Sequence, residues 1–422
     1  MKTDVLIIGA GVLGLSSAYH IKRTNPDLKV LLIDQFGGPA QGNTGKCAGG
    51  YRNMLTTDTN IKLSESTIAW FKDLQENQGF NIGFHNTGYL YLLSEVEYKK
   101  REELFSIMER KGIELKLHER EDLEKNLPDL QLELDDEAYE MGILPIVKGV
   151  QGLNCGVVNA DALARAYETL FLRLGGEVNY NTTATKLNLK PREELGIPGE
   201  PFVWQASEIR GAETSKGTIE ANTTVLAVGA WAGRLLDQIG VDCNMRPKKR
   251  MIYVFDHPKL RNLRDTKGFN KYGKLPVLQL PDAKVYFKAD LEEDNIWLSV
   301  TEGIGREYGL EDDPQPEEKT YTENAYYGLI KYFPCFTNVR PVNMWAGQRA
   351  INSMDKQPIV SPSPGLIYVG AATGNGILKS DALGRTVASL NNGEKEAILF
   401  DGRTLKVSDL GISNRNVGLE KF

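Results

Sequence analysis

The sequence predicts an α/β fold (α+β over the whole chain) in which a parallel-sheet, nucleotide-type domain is interleaved with an antiparallel-sheet domain. Three observations predict it. An apolar strand (5–8) runs directly into Gly9-x-Gly11-x-x-Gly14. The same strand–glycine–helix grammar returns in TTVLAVGAWAGRLLDQIGV (223–241) and in GLIYVGAATGNG (365–376). Between these pieces lie MIYVF, KVYFKA and IWLSV, whose period of two marks one face of an antiparallel sheet.

The opening element has a physical role for each part. Gly9 permits the tight turn, Gly11 lets backbone approach a pyrophosphate, and Gly14 lets the helix LSSAYHIKRT pack close on the sheet. The helix N-terminus, with Val12 and Leu13 just inside it, offers free N–H groups to phosphate. A second buried-strand run, VLLID, ends in Asp34, followed by Gln35. An acidic side chain there accepts hydrogen bonds from a ribose and disfavours a 2′-phosphate. These parts in this order predict an adenine-dinucleotide site.

FGGPAQGNTGKCAGGYRNML is too poor in apolar residues for a core element and reads as a loop beside a cofactor. A helix follows over about 61–78, with Ile61, Ser64, Ile68, Phe71 and Leu74 at helical spacing. TGYLYLL (87–93) reads as a strand and 95–111 as a charged amphipathic helix. The acidic region 123–140 predicts short helices and loops at a surface. GVVNADALARAYETLFLRLGGEVNYNTTATKL (156–187) returns to helix, Gly-Gly stop and strand. The boundaries that follow are 1–85, 146–240 and 341–422 for the nucleotide domain, and 86–145 and 241–340 for the substrate domain.

Composition narrows the function classes. The chain has 422 residues, 41% of them apolar and 25% charged, with net charge −6 and pI near 5.6. Its densest basic cluster, RPKKR (246–250), is too short to be a nucleic-acid surface by itself. No apolar run reaches the roughly eighteen residues of a membrane span, and the N-terminal run lacks the marks of a signal peptide. The expectation is a cytoplasmic protein without an integral membrane segment. Four scattered cysteines and four histidines give neither a disulfide framework nor metal-ligand spacing. The chemistry must then come from a bound cofactor.

Five blocks carry a family resemblance over nearly the whole chain: GAGVLGLSSAYHI, GNTGKCAGGYRN, TTVLAVGAWAGRLLDQIG, WAGQRAINSMDKQPIV and LIYVGAATGNGILKSDALGR. In this order they resemble the FAD-dependent D-amino acid oxidase superfamily, with sarcosine oxidase, glycine oxidase and the dye-linked proline dehydrogenases. The resemblance implies a Rossmann-like FAD-binding domain of the glutathione-reductase type and extended FAD, its isoalloxazine at the domain junction. It assigns Thr44, Gly45, Lys46, Cys47 and Ala48 to the loop lining flavin and phosphates. Val228, Gly229 and Trp231 fall at the adenosine half. Gly347, Gly374, Asn375, Gly376, Ile377, Leu378 and Lys379 fall around the flavin ring. Cys47 stands where some relatives carry a histidine bonded to FAD; a thioether there and simple packing are both open, and packing is preferred. The cysteine that anchors flavin in monomeric sarcosine oxidase falls near Gln348, so that linkage is absent.

The resemblance also proposes the catalytic set. Arg349 follows WAGQ where glycine oxidase has the arginine that clamps the substrate carboxylate, although Ala350 replaces the usual proline. Arg52 is a second basic candidate at the flavin face. Lys288 aligns with a lysine near flavin N5 in some relatives, and equally reads as a solvated lysine. Lys379 lies one position beyond the carboxylate-binding lysine of sarcosine oxidase. Tyr253 and Trp345 are candidate pocket walls, with core packing the plainer reading. The implied reaction is oxidation of the C–H bond next to an amine, hydride passing to flavin N5 and leaving an imine. Small amino acids or amines are the expected substrates (L-proline or sarcosine among them), with oxygen, a quinone, a dye or a partner subunit as acceptor. Two other readings stay open: oxidation of a 2-hydroxy acid, and a flavin-binding subunit or assembly factor with no substrate of its own.

Overall fold

The computed structural model describes residues 1–301 and 306–422. The part of the second-domain expectation that falls on 302–305 lies outside them.

Lys2–Ile8 is the central strand of the first sheet, flanked in parallel by Val30–Ile33 and Gly217–Leu226. Leu366–Gly370 and Glu177–Asn179 extend the parallel set, and Ile359–Ser363 closes one edge antiparallel. The continuous apolar run of the first strand has a direct cause: both of its faces are covered. Val5 and Ile7 enter a core beneath the helices Val12–Thr24, Asp58–Glu76, Ala160–Arg173 and Ser380–Asn391. Leu6 and Ile8 enter a second core on the other face, with Leu187, Leu235 and Met245.

Glycine makes the first turn possible. Gly9 has φ +110°, and a Cβ on it would lie 2.6 Å from the Ala227 carbonyl oxygen. A Cβ on Gly14 would lie 1.9 Å from the Gly9 oxygen, so helix and turn meet backbone to backbone. The helix Val12–Thr24 is then tied to Ser380–Asn391 by a buried cluster. His20 Nε2 lies 2.6 Å from Asp381 Oδ1, and Arg385 Nε donates to Asp381 Oδ2 at 2.6 Å.

The second sheet runs Asn343–Asn352, Met245–Phe255, Ile296–Val300, Val285–Ala289, Val277–Leu280, Tyr89–Ser94, Ile146–Gly152 and Leu115–His118. All neighbours are antiparallel except Val277–Leu280 and Tyr89–Ser94, which are parallel. Alternation separates its two faces. Leu90, Leu92, Leu278, Phe287, Leu298 and Met251 pack into an outer apolar core. Tyr89, Tyr91, Gln279, Tyr286, Lys288 and Ser299 point the other way, into a cavity between the sheets.

Two segments sit in the other sheet from the one the expected boundaries give. Ile146–Gly152 pairs with Tyr89–Ser94, and Asn343–Asn352 pairs with Met245–Phe255 along its full length, from Met245 opposite Asn352 to Val254 opposite Asn343. Neither segment differs in composition from its neighbours in a way that announces its sheet.

Candidate active site

The two sheets enclose a cavity of about 830 Å³, lined by strand ends of the first and by the polar face of the second. At one end Gly9, Gly11, Val12 and Leu13 present the start of the first helix. Thr44 Oγ1 accepts the Val12 N–H at 3.1 Å, so the following loop closes over that helix end. Asp34 and Gln35 lie beside it. The Asp34 oxygens accept the Ala10 N–H at 2.6 Å and the Phe36 N–H at 2.8 Å. Burial raises its carboxyl pKa, and these two N–H groups oppose the rise. Val228, Gly229 and Trp231 line the same end. Gly14 and Gly45 support the site without lining it: a Cβ on Gly45 would lie 2.6 Å from the Ala40 oxygen, so that glycine shapes the loop.

At mid-cavity the loop is stitched to the second sheet. Asn43 Oδ1 accepts the Gln348 N–H at 2.7 Å, and Trp345 Nε1 donates to the Lys46 carbonyl at 3.0 Å. Lys46, Cys47, Ala48 and Gly347 line the wall here. Burial pushes the Cys47 thiol up, which keeps it protonated and suits packing. Trp345 does not line the cavity; it meets Trp297 edge-on at 5.0 Å. Tyr253 is not a wall either. It lies on the opposite face of its strand from Arg250 and Ile252, in the outer core, its hydroxyl donating to the Glu317 carbonyl at 2.7 Å.

The glycine loop after Leu366–Gly370 supplies Gly374, Asn375, Gly376, Ile377 and Leu378. Arg349 rests against it, Nη2 donating to the Thr373 carbonyl at 3.2 Å. A Cβ on Gly374 would come within 2.3 Å of that Nη2, so the loop and the arginine are cut to each other. Lys379 turns away from the cavity. It is wholly buried, donating to Asn60 Oδ1 at 2.5 Å and Gln357 Oε1 at 3.4 Å, and burial pushes its amine down to about 7. The expected place of Lys379 beside the cofactor is therefore corrected to an internal anchor one residue past the lining loop.

Lys288 does face the cavity, so the solvated reading fails. It is 4% exposed, with Nζ 4.2 Å over the Trp297 ring and 3.9 Å from Asp290 Oδ1. Burial lowers its amine, and Asp290 and Cys47 partly oppose this. Arg52 also lines the cavity. Its guanidinium donates to the Met54 carbonyl, donates to the Phe422 carbonyl at 3.4 Å, and stacks 5.5 Å over the Phe422 ring. Tyr89, Tyr91, Gln279 and Tyr286 were not singled out from sequence. The signal was present: the i, i+2 tyrosines of TGYLYLL mark one face of a strand whose other face is all leucine.

The residues fit FAD. A helix N-terminus opened by Gly11 meets the pyrophosphate requirement. Gln348, 3% exposed, leaves both Oε1 and Nε2 without a partner among the described residues, beside the glycine loop where a polar ring edge fits.

The comparisons agree with this geometry. The family model described as FAD dependent oxidoreductase (DAO) matches residues 4–390. FAD-dependent oxidoreductase domain-containing protein 1 of Xenopus laevis is 24% identical, over 92% of this chain and 79% of its own length. The sarcosine oxidase subunit beta of Rhodobacter capsulatus is 22% identical, over 90% and 82%. Among solved structures, L-proline dehydrogenase from P. horikoshii superposes with TM-score 0.73 at 20% identity, covering 93% of this chain and 94% of that one. Glycine oxidase from Bacillus cereus gives TM-score 0.70 at 19% identity, covering 95% and 98%. A dinucleotide cradle, a glycine loop fitted to an arginine and a family match spanning both sheets lead to one conclusion: the chain belongs to the DAO family of FAD-dependent oxidoreductases.

Proposed function

We propose that the chain oxidises an amino acid or secondary amine, L-proline-like or sarcosine-like, at the carbon next to nitrogen, giving an imine. The observation that carries this reading is Arg349: a guanidinium on the cavity wall, held by a backbone carbonyl and without an ion-pair partner among the described residues. Its planar fork matches a carboxylate with two parallel hydrogen bonds. FAD, when bound, supplies the two-electron acceptor for the hydride. Arg349 holds the carboxylate, and the Tyr286 hydroxyl, close enough for Arg349 to oppose the rise that burial imposes on its pKa, borders the same space. Fixing the substrate in this way provides orientation, which is what such a transfer most needs.

No histidine among the described residues lines the cavity. An amine needs no protein base once it is bound neutral, whereas a 2-hydroxy acid must lose a hydroxyl proton to a nearby group. This favours the amine. Lys288, buried with a lowered pKa, is the group that supports the 2-hydroxy acid reading in second place. The open space between Arg349 and the tyrosines favours a catalytic chain over an assembly factor with a filled pocket. The acceptor, among oxygen, a quinone, a dye or a partner subunit, is proposed with the substrate left to set it. Product analysis tests the reading. Turnover with L-proline or sarcosine, first with an artificial dye and then in air, is expected to release the carbonyl compound and amine of imine hydrolysis. Conversion of 2-hydroxyglutarate alone would move the assignment to hydroxy acids.

A further inference from the structure

We propose that Phe422 is a positioning residue: within a strap formed by residues 415–422, it holds the Arg52 guanidinium in place on the cavity wall from behind. This rests on the amine-oxidation reading, whose substrate shares the cavity with Arg52, and adds the residue that fixes that part of the wall.

The strap is fastened along its length. Arg415 grips Asp355, Nε to Oδ2 at 2.5 Å and Nη2 to Oδ1 at 2.8 Å, and Nη2 also donates to the Gln357 carbonyl at 3.1 Å. Val417, 5% exposed, packs into the core beneath the helices of the first sheet. Glu420 then meets the start of the helix Asp58–Glu76. Its carboxylate accepts the Thr56 N–H at 2.9 Å, the Thr56 hydroxyl at 2.6 Å, the Thr57 N–H at 3.3 Å and Asn60 Nδ2 at 3.0 Å. A negative charge is favoured at that end of a helix. Burial works to raise the Glu420 carboxyl, but the Thr56, Asn60 and Thr57 donors hold it below the ordinary carboxylate range.

That anchorage brings Phe422 to Arg52. The Phe422 ring lies against Tyr91, 4.9 Å away between centroids, and against Phe105 of the helix Glu95–Arg110, 5.6 Å away. Arg52 stacks over this ring at 5.5 Å. Its Nη2 donates to a backbone oxygen of Phe422 at 3.4 Å, while Nη1 donates to the Met54 carbonyl. Glu420 adds its charge through space, so the strap holds the guanidinium by ring, backbone and charge together. Arg52 and Tyr91 line the cavity, whereas Glu420 and Phe422 do not. The strap therefore reaches a substrate only through the wall it supports. A guanidinium already fixed in one plane loses less freedom when a ligand arrives than a loose one, so Phe422 sets affinity at that wall and not the chemistry of the cofactor.

Phe422→Ala removes the ring and keeps the backbone oxygen. In the FAD-loaded protein, with an amine substrate and a dye as acceptor, KM is expected to rise about tenfold while kcat falls by less than about threefold. Phe422→Tyr keeps the ring and should hold KM within about twofold of the unaltered protein. In an Arg52→Gln background the Phe422→Ala change should move KM by less than about twofold, because the group it acts through is gone. Labelling with phenylglyoxal, read by peptide mapping, needs no turnover: Arg52 should react several-fold faster in Phe422→Ala. Phe422→Leu, which keeps apolar volume and loses the ring face, replaces Phe422→Ala if that variant does not fold. An unchanged KM or an unchanged Arg52 labelling rate overturns the proposal. So does an effect on KM that stays above about twofold in the Arg52→Gln background. The parent reading fails separately: if no amine reduces the flavin, amine oxidation is lost, and the labelling rates alone decide whether Phe422 holds Arg52.

Discussion

Arg349 and Gly374 show how closely a single residue can be specified. Replacing Arg349 by Gln removes a charge-assisted fork worth about 2–3 kcal/mol, so kcat/KM should fall by about a hundredfold, with Arg349→Lys recovering part of the loss. Gly374→Ala should imitate it, because the added methyl occupies the place of Nη2 at 2.3 Å. Steady-state kinetics on the three variants checks both expectations. Arg349 came within reach of sequence reading through the resemblance, which aligns it after WAGQ with a carboxylate-clamping arginine. Lys379 was misread, and Tyr253 was left open with core packing the plainer reading, for a different reason. Each is decided by which way one side chain leaves the backbone, and a shift of one residue reverses that direction.

Lys379 also gives a pH signature. Burial pushes its amine down to about 7 in the folded chain, against an ordinary 10.5 when unfolded. Between those values the unfolded chain holds a proton that the native one does not, so stability rises with pH across that window and declines as pH falls toward 7. The slope from this group is at most about 1.4 kcal/mol per pH unit. Chemical denaturation from pH 7 to 10 should show it, and Lys379→Met should flatten it.

Among the elements, the helix pair Val12–Thr24 and Ser380–Asn391 depends on its buried charges. Asp381→Ala leaves Arg385, 8% exposed, without its carboxylate, and should cost about 3 kcal/mol or more by denaturant titration. His20 belongs to the same cluster. Burial holds its imidazole down to about 4 against an ordinary 6.5, so its contribution is present above 6.5 and lost as pH falls toward 4. The strands were legible because their patterns are physical: both faces of residues 5–8 are covered, so that run is apolar throughout, whereas Val285–Ala289 alternates between core and cavity. The sheet to which Asn343–Asn352 belongs was not legible. Its sequence carries residues for both the cavity and the cofactor loop, and pairing partners a hundred residues away leave no local mark.

For the whole molecule, interleaving explains why the cavity belongs to neither sheet alone. The loop 43–47 and the strand Asn343–Asn352 are joined across it, so FAD binding should stabilise both sheets together. Saturating FAD should raise the unfolding free energy by about 4 kcal/mol at a thousandfold excess over Kd, in a single transition. Two separated transitions, one unaffected by FAD, would contradict that coupling. No helix among the described residues is long and apolar enough to cross a membrane.

Hydride leaves a carbon next to nitrogen in the proposed reaction, and anaerobic absorbance of the FAD-loaded protein tests that most directly. L-proline, sarcosine, glycine, a dicarboxylic amino acid and 2-hydroxyglutarate are added in turn while the flavin's visible band is followed. Bleaching by an amine-bearing acid is the expected result, greatly slowed in Arg349→Gln. A fully loaded flavin that bleaches with 2-hydroxyglutarate alone, or with none of them, would contradict it.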